Sequence, residues 1–431
     1  MKVEGKKVVV VGMAKSGRAA VDLLIERGAH VTAVDQNAAQ VRDLAVPVLP
    51  QREESFADAE LIVLSPGVPA DLPELAAVRN QAPIVGDLEL ASWFLQGKVI
   101  GITGSNGKTT TTALTGHILK SSGILAQVGG NIGTPPCSMV KSSREGQWNV
   151  LELSSFQLET IGTFRANIGV ALNVTPDHLD RHYTFERYAA AKARLFENQR
   201  SSDFAVLNAD DPVTKAYPAP GTRVFFSSTQ PSTTAHLSEG SIVLDTKPLM
   251  AASDVPLRGL HNLENTMAAA LAAHLAGATH EQIREAVKTF PGVEHRLEFV
   301  RMLHDVAYYN DSKATNVDAT LKAIAAFDGA LWIILGGKDK SSDYSPLVEP
   351  LKQKADAVLL IGAAAEKIAA QLQGAAPLIR CGTLEAAVGE ARARAHSGDT
   401  VLLAPACASF DQFENFEHRG REFKRWVQNL E

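Results

Sequence analysis

The sequence is short of several things, and each shortage excludes a class of protein. Its three cysteines, Cys137, Cys381 and Cys407, are odd in number and far apart, so neither a disulfide framework nor a C-x-x-C metal or redox pair is available. A reducing compartment fits such cysteines, and a cytoplasmic protein is expected. There is no basic excess: 42 Lys and Arg against 48 Asp and Glu leave a net charge of -6, so no nucleic-acid partner is expected. No uncharged apolar run approaches the ~18 residues of a membrane span. The first apolar stretch, residues 8–11, is too short for an export signal and has no small-residue cleavage site after it. Repeats of fixed period and low-complexity tracts are missing, which removes solenoid and fibrous folds. What remains, 45% hydrophobic and 21% charged residues, is the composition of a chain that folds into packed domains.

At roughly 150 residues per domain the length predicts about three domains. Apolar runs alternate with helical patterns almost throughout, the pattern of parallel sheets covered by helices, so the fold class is α/β. Strands are expected at 7–11, 31–35, 61–65, 99–103, 150–153, 168–174, 330–335, 357–361 and 400–404. Most end in Gly, Ser, Thr or Asp, and ligands of open α/β sheets bind beyond the carboxyl ends of the strands. Helical patterns break near residues 92–98 and at Phe290-Pro291-Gly292, which divides the chain into 1–93, 94–291 and 292–431. The Ser/Thr-rich stretch 227–256 reads as a small antiparallel excursion from the middle domain.

The strongest local signal is a strand running into Gly104-Ser105-Asn106-Gly107-Lys108-Thr109-Thr110 and then a helix. It reads as a phosphate loop: glycines let backbone N–H groups converge on phosphate oxygens, Lys108 reaches the terminal phosphates, and the Thr109 hydroxyl can bind Mg²⁺. The strict pattern would have glycine at 102; this chain has Ile102 and matches the shorter G-x-x-G-K-T core. Near the start, Gly12-Met13-Ala14-Lys15-Ser16-Gly17 follows a strand and opens a helix, and Asp35 ends the next strand. Ala14 replaces the middle glycine of a dinucleotide fingerprint, so a nucleotide site and a ligand-free βα turn both remain open. Ser65-Pro66-Gly67-Val68 ends a third strand that would lie beside it.

In the middle domain Glu152 interrupts an apolar strand, where a carboxylate is costly unless it meets cations, and a metal ion is the economical partner. His178 follows another strand and is either a hydrogen-bonded loop residue or a ligand. Asn131, in Gly129-Gly130-Asn131-Ile132-Gly133, is either a turn residue or a phosphate or substrate contact. Lys192 lies on the apolar stripe of Phe185, Tyr188, Ala189, Leu195 and Phe196, so it points inward. Either its stem packs while the ammonium snorkels to water, or burial leaves a neutral amine able to take up CO₂ as a metal-binding carbamate. In the last third, residues 294–298, 309–316, 335–340 and 403–413 each follow a strand or the connector. Singly they are ordinary turns and helix starts; four on consecutive strand ends point to a shared site.

Taken together, Thr103-Gly104-Ser105-Asn106-Gly107-Lys108-Thr109, Leu151-Glu152-Leu153-Ser154-Ser155-Phe156-Gln157, Asn173-Val174-Thr175-Pro176-Asp177-His178, His261-Asn262, His295-Arg296 and Asn310-Asp311-Ser312-Lys313-Ala314-Thr315-Asn316 resemble the Mur ligase family. These are ATP-dependent amino-acid-adding enzymes of peptidoglycan synthesis, and the resemblance spans nearly the whole chain. Within the family, Asp311 to Asn316 with Pro405-Ala406-Cys407-Ala408-Ser409-Phe410-Asp411-Gln412-Phe413 and Asn415-Phe416 look like the D-glutamate-adding branch, and the D-N-P-R motif of the diamino-acid-adding branch is absent.

The resemblance implies an N-terminal Rossmann-like UDP-substrate domain, a central phosphate-loop ATPase-like domain and a C-terminal Rossmann-like domain that brings the amino acid. It implies UDP-N-acetylmuramoyl-L-alanine, D-glutamate and ATP as substrates, with Mg²⁺ as cofactor and an acyl phosphate on the way. Carried over by motif, Lys108, Asn131, Glu152, His178 and Lys192 would be catalytic. ATP would be held by residues 104–110 with Asn265, Arg296 and Asp311. Metal would be bound by Thr109, Glu152, His178 and carbamylated Lys192. The UDP substrate would meet Ala14, Lys15, Ser16, Asp35, Gln36, Ser65, Gly67, Asn131, Ser154 and His178. D-Glutamate would meet Lys192, Arg296, Thr315, Lys340, Ser409 and Phe416. Gln36-Asn37 stand where many relatives carry Thr-Arg, and Lys338-Asp339-Lys340 where they carry Asp-Gly-Lys. A monomer is expected. The rival readings are a related ligase with another amino acid or acceptor (such as a folylpolyglutamate synthetase), a nicotinamide-dependent oxidoreductase, and a non-catalytic nucleotide sensor.

Overall fold

The alternating apolar runs become strands of three separate sheets in the computed structural model, which describes every residue except Met1, Ala77, Lys340 and Ser341, and not the Asp180 side chain. The described residues pack as two compact units, Met1–Val255 with His261–Phe290, and Pro256–Leu260 with Pro291–Glu431. The first unit holds two sheets and the second unit holds one.

The first sheet consists of β1 (Lys7–Val11), β2 (His30–Asp35), β3 (Val48–Pro50), β4 (Leu61–Leu64) and β5 (Ile84–Gly86), all parallel in the order β3-β2-β1-β4-β5. Successive strand side chains point to opposite faces. Val8, Val10, Leu61 and Val63 therefore pack on the helix Lys15–Glu26, while Val9, Val11, Ile62 and Leu64 pack with Phe56 and Leu75 on the other side. A sheet covered on both faces needs near-continuous apolar strands, which is why β1 and β4 read so clearly in the sequence. Strand order reverses between β1 and β4, opening a crevice beyond Val11 and Leu64.

The second sheet runs β14-β13-β12-β11-β10-β9-β6-β8-β7, with β6 (Lys98–Thr103), β7 (Ala126–Gly130), β8 (Trp148–Glu152), β9 (Ile168–Ala171), β10 (Phe204–Asn208), β11 (Thr222–Ser227), β12 (Ala235–Ser238), β13 (Ser241–Leu244) and β14 (Lys247–Ala251). Pairing is parallel from β7 to β12 and antiparallel through β13 and β14, so the 227–256 excursion is present as expected. Pro248 lacks a ladder N–H and sits in the edge strand β14, where that is tolerated. The functional consequence of this order is that β8 and β9 flank β6, so three neighbouring strand ends deliver Glu152, the glycine loop and the 172–178 loop to one place.

In the second unit β15 (Glu298–Leu303), β16 (Val306–Asn310), β17 (Leu331–Gly336), β18 (Ala355–Ile361), β19 (Leu378–Gly382) and β20 (Thr400–Leu403) form the order β15-β16-β20-β17-β18-β19. Among the described residues, the β15–β16 strand pair is antiparallel and the other strand pairs of this sheet are parallel. Here too adjacent strands β16, β20 and β17 end in three of the four polar clusters.

Candidate active site

Between Thr103 and the helix Lys108–Ser121 the chain turns through Gly104 (φ 153°) and Gly107 (φ 83°). A Cβ on Gly107 would lie 2.2 Å from Asn265 Oδ1, and one on Gly104 would lie 3.0 Å from Leu172 Cβ, so these two glycines are sterically required. Ile102 is fully buried inside β6, and the turn forms without a glycine there. Lys108 Nζ donates to the carbonyls of Gly104 at 2.8 Å and Ser105 at 3.0 Å. The Thr109 hydroxyl donates to Glu152 Oε2 at 2.9 Å, and Asn131 Nδ2 donates to Glu152 Oε1 at 3.2 Å. Glu152 is 2% exposed, and the Thr110 hydroxyl is buried with no partner among the described residues. Asn265, from the helix Leu260–Leu275, accepts the Thr111 hydroxyl at 3.3 Å.

Among the described residues no group of three or more His, Cys, Asp or Glu side chains could hold a metal ion. The oxygen donors of Thr109 and Glu152 instead suit Mg²⁺, which keeps few protein ligands and completes its shell with water and substrate phosphates. The glycine turn at a helix start has the geometry of a phosphate cradle. The residues present therefore fit ATP with Mg²⁺.

Lys192, in the helix Phe185–Ala193, is 1% exposed; its Nζ donates to Gly104 O at 2.8 Å and lies 4.5 Å over the Tyr188 ring. The snorkelling alternative is thus overturned, because the amine ends in the interior rather than in water. Burial, with the neighbouring Lys108 charge adding to it, holds the amine well below the ordinary lysine value, while Asp177 and Glu152 oppose. His178 stands in the left-handed region at φ 51°, about half exposed, 3.5 Å from Asp177 Oδ2 and edge-on to Phe156 at 4.9 Å. Sequence reasoning assigned nothing to Asn173 and Tyr188, yet both build the loop. Asn173 holds the Asn106 amide (2.9 Å) and carbonyl (3.2 Å), and Tyr188 shares a hydrogen bond with Ser105 at 3.0 Å. A polar residue just past a strand that neighbours the phosphate-loop strand was the signal available for Asn173.

In the N-terminal crevice Gly12 turns at φ 86°, and a Cβ on Gly17 would lie 1.8 Å from the Gly12 carbonyl, so the first helix packs directly on the turn. Ser65 Oγ donates to Gly12 O at 2.7 Å. Asp35 accepts the amides of Met13 at 2.7 Å and Asn37 at 2.8 Å and so shapes the crevice. Lys15 Nζ donates to Gly133 O at 2.5 Å, linking this crevice to the turn that carries Asn131. Ala14, Gln36 and Gly67 are exposed, Ser16 is half-buried, and Ser154 caps the helix Ser155–Glu159 in a reciprocal box with Gln157.

In the second unit His295 (φ 64°) and Leu297 (φ 42°) form a tight turn after the connector. Asn310 Nδ2 donates to His295 Nδ1 at 2.9 Å and to Glu298 Oε2 at 3.0 Å. Arg296 Nε is buried with no partner among the described residues. Asp311 is pushed up to about 6 by burial, with the Arg296 charge opposing. Lys313 N donates to His295 O, Ala406 N to Ala314 O and Lys338 N to Ala408 O, so the four clusters do meet. Phe416 is edge-on to His295 at 6.2 Å with Lys313 Nζ 5.9 Å over it; Thr315 is half-buried and Ser409 buried. Lys340 lies outside the described residues. Arg419, unassigned from sequence, is 1% exposed and donates to Ser312 Oγ and Ser312 O at 2.9 Å each and to Cys407 O at 3.2 Å.

Comparison with known proteins matches residues 6–86 to the Mur ligase MurD-like N-terminal domain, 102–273 to the Mur ligase middle domain, and 295–407 to the Mur ligase glutamate ligase domain. The chain is 58% identical to the UDP-N-acetylmuramoylalanine–D-glutamate ligase of Solibacter usitatus, over 100% of this chain and 99% of that one. The chain belongs to the Mur ligase family. The enzyme of the same name from Acidobacterium capsulatum is 51% identical over 99% of this Mur ligase and 97% of its own length. The solved structure of UDP-N-acetylmuramate–alanine ligase from Thermotoga maritima has the same fold, with a TM-score of 0.63 at 19% identity over 98% of this chain and 99% of that one. Three α/β domains in this order are therefore the architecture of the protein. No helix among the described residues is long and apolar enough to cross a membrane.

Proposed function

We propose that this Mur ligase joins D-glutamate to UDP-N-acetylmuramoyl-L-alanine at the expense of ATP, as the names of its nearly full-length relatives imply. The observation that carries the reading is the group formed by buried Glu152 and Thr109 with exposed Asn131, beside a glycine turn onto which Lys108 and Lys192 both converge. The substrate carboxylate attacks the γ-phosphorus, ADP leaves, and an acyl phosphate forms; the D-glutamate amine then attacks the acyl carbon and phosphate leaves. Phosphoryl transfer asks mainly for positioning and charge neutralisation, which residues 104–110 and Asn265 supply on the ATP side. Mg²⁺, when bound, neutralises phosphate charge and aligns the reacting oxygens. Glu152 and Thr109 hold its site, and Asn131 orients Glu152 while contacting substrate.

The neutral Lys192 amine takes up CO₂ and releases a proton, giving a carbamate that with His178 makes a second cation site. Ala14, Lys15, Ser16, Asp35, Gln36, Ser65, Gly67 and Ser154 serve the UDP substrate. In the C-terminal domain Arg296 and Asp311 serve ATP. Arg296, Thr315, Lys340, Ser409 and Phe416 serve D-glutamate, whose two carboxylates suit cationic and hydroxyl donors. The functional domains are 1–93, 94–291 and 292–431, and the enzyme acts as a monomer in the cytoplasm. Glu152→Gln tests the central group: kcat should fall by about 10²–10³-fold, the usual cost of losing a charge-stabilising group. An unchanged kcat would remove Glu152 from the chemistry.

A further inference from the structure

One hydrogen-bonded chain in the first unit is used by none of these roles. The helix Ser155–Glu159 follows the strand that ends in Glu152, and a short helix, Leu179–His182, follows His178. His182, 3% exposed, joins them: its Nε2 is 2.9 Å from Ser155 Oγ and its Nδ1 is 3.1 Å from Glu159 Oε1. The other Glu159 oxygen accepts Arg181 Nη2 at 2.9 Å, and the same nitrogen reaches the Val68 carbonyl at 3.2 Å, in the loop that carries Gly67. Phe156 stacks on His182 (5.5 Å, 17°), meets His178 edge-on at 4.9 Å, and lies 5.1 Å beneath the Arg181 guanidinium. Tyr183 adds a second tie by donating to Asp71 Oδ2 at 3.1 Å.

Hydroxyl, imidazole and carboxylate in this order match a hydrolytic triad. That reading fails on access, because Ser155 is 2% exposed at the buried start of a helix and no substrate carbonyl can reach it. Orientation is the remaining use. His178 and Tyr183, at φ 51° and 67°, bracket the turn in the left-handed region. Side chains there cost about 1–2 kcal/mol each and persist only where the surroundings hold them. We propose that the Ser155–His182–Glu159–Arg181 chain is a positioning device that fixes the His178 turn against both the Ser155–Glu159 helix and the 65–71 loop of the nucleotide-substrate crevice. The assignment rests on the ligase reading for the roles of His178 and the crevice.

The test uses the full chain. His182→Ala should lower kcat by about 10–100-fold, the scale of a misplacement near 1 Å, and raise KM for the UDP substrate while KM for ATP stays within about twofold. Arg181→Met, at a less buried position, should show the same split, with part of it recovered in Arg181→Lys. Because the residues act as a unit, the double variant should be no worse than the worse single one. A kcat within about twofold of the parent, losses that multiply in the double variant, or a parallel change in KM for ATP would overturn the proposal. A readout independent of turnover is the His182 Nδ1–H proton resonance, expected far downfield in the parent and lost in Glu159→Gln. If the parent shows no D-glutamate-dependent turnover, the ligase reading fails, and this resonance alone decides whether the chain exists: its absence overturns it.

Discussion

Replacing Lys192 by Met separates the cost of burying this amine from its use. The side chain is 1% exposed, and its carbonyl partner, Gly104 O, is shared with Lys108 at 2.8 Å, so removing Lys192 orphans no acceptor. The lost hydrogen bond costs about 1 kcal/mol. Exchanging a buried ionisable group for an apolar one of similar volume returns roughly 1–4 kcal/mol. The Met variant should therefore be about 0–3 kcal/mol more stable than the parent at neutral pH. The sign with pH follows from proton linkage. Burial lowers the folded-state amine, while the unfolded chain's lysine stays protonated up to about 10.4. Parent stability therefore rises with pH toward that value, and the advantage of the variant closes. Urea midpoints in bicarbonate-free buffer at neutral and strongly alkaline pH measure the gap. A variant clearly less stable at neutral pH, or a gap that widens as pH rises, would refute the buried neutral amine. Turnover should meanwhile fall by about 10²–10³-fold, and full activity at saturating Mg²⁺ would refute the carbamate.

Gly107→Ala should cost about 1–2 kcal/mol for the left-handed φ alone. It must also displace Asn265, whose Oδ1 stands 2.2 Å from the new methyl, so ATP binding should weaken at least about tenfold, and unchanged ATP titrations would contradict the cradle. Asp311, raised from 3.8 to about 6 by burial, binds its proton more tightly when folded, so its favourable contribution is full below pH 4 and lost as pH rises through 6. Asp311→Asn should thus match the parent near pH 4 and exceed it by up to roughly 3 kcal/mol at pH 7, read from denaturation midpoints; a constant gap would refute the burial argument. Arg419→Ala leaves the Ser312 and Cys407 carbonyls buried without their donor and opens a cavity. We expect a loss of about 3–5 kcal/mol, and a loss under ~1 kcal/mol would show that this guanidinium does not brace the site.

How far the sequence foretold the molecule depended on whether a residue's role is local. β1, β4, β6, β8 and β17 were legible because strands covered on both faces are continuous apolar runs. β3 and β5 have three residues each, and β19 is largely unburied, so none carries a period long enough to register. The expected strand 168–174 stops at Ala171, just before Asn173 turns its side chain to the glycine loop. Glu152 and Lys192 stood out because a charge on an apolar strand or stripe conflicts with its own element. Arg419 gave no such signal, since Ser312 lies 107 residues away and periodicity reports only which face of its own helix a residue occupies. The same holds for Asn173, 67 residues from Asn106, and for His182, 27 from Ser155. Ile102 in place of glycine had weakened the phosphate-loop pattern, yet Gly104 and Gly107 alone carry the positive φ values.

The central claim is tested most directly by phosphate release from ATP in the presence of UDP-N-acetylmuramoyl-L-alanine, comparing D-glutamate with L-glutamate, L-lysine and meso-diaminopimelate. Release with D-glutamate alone, with a matching mass gain in the nucleotide product, is the predicted result. Release with another of the amino acids and not with D-glutamate, or with none, would contradict it.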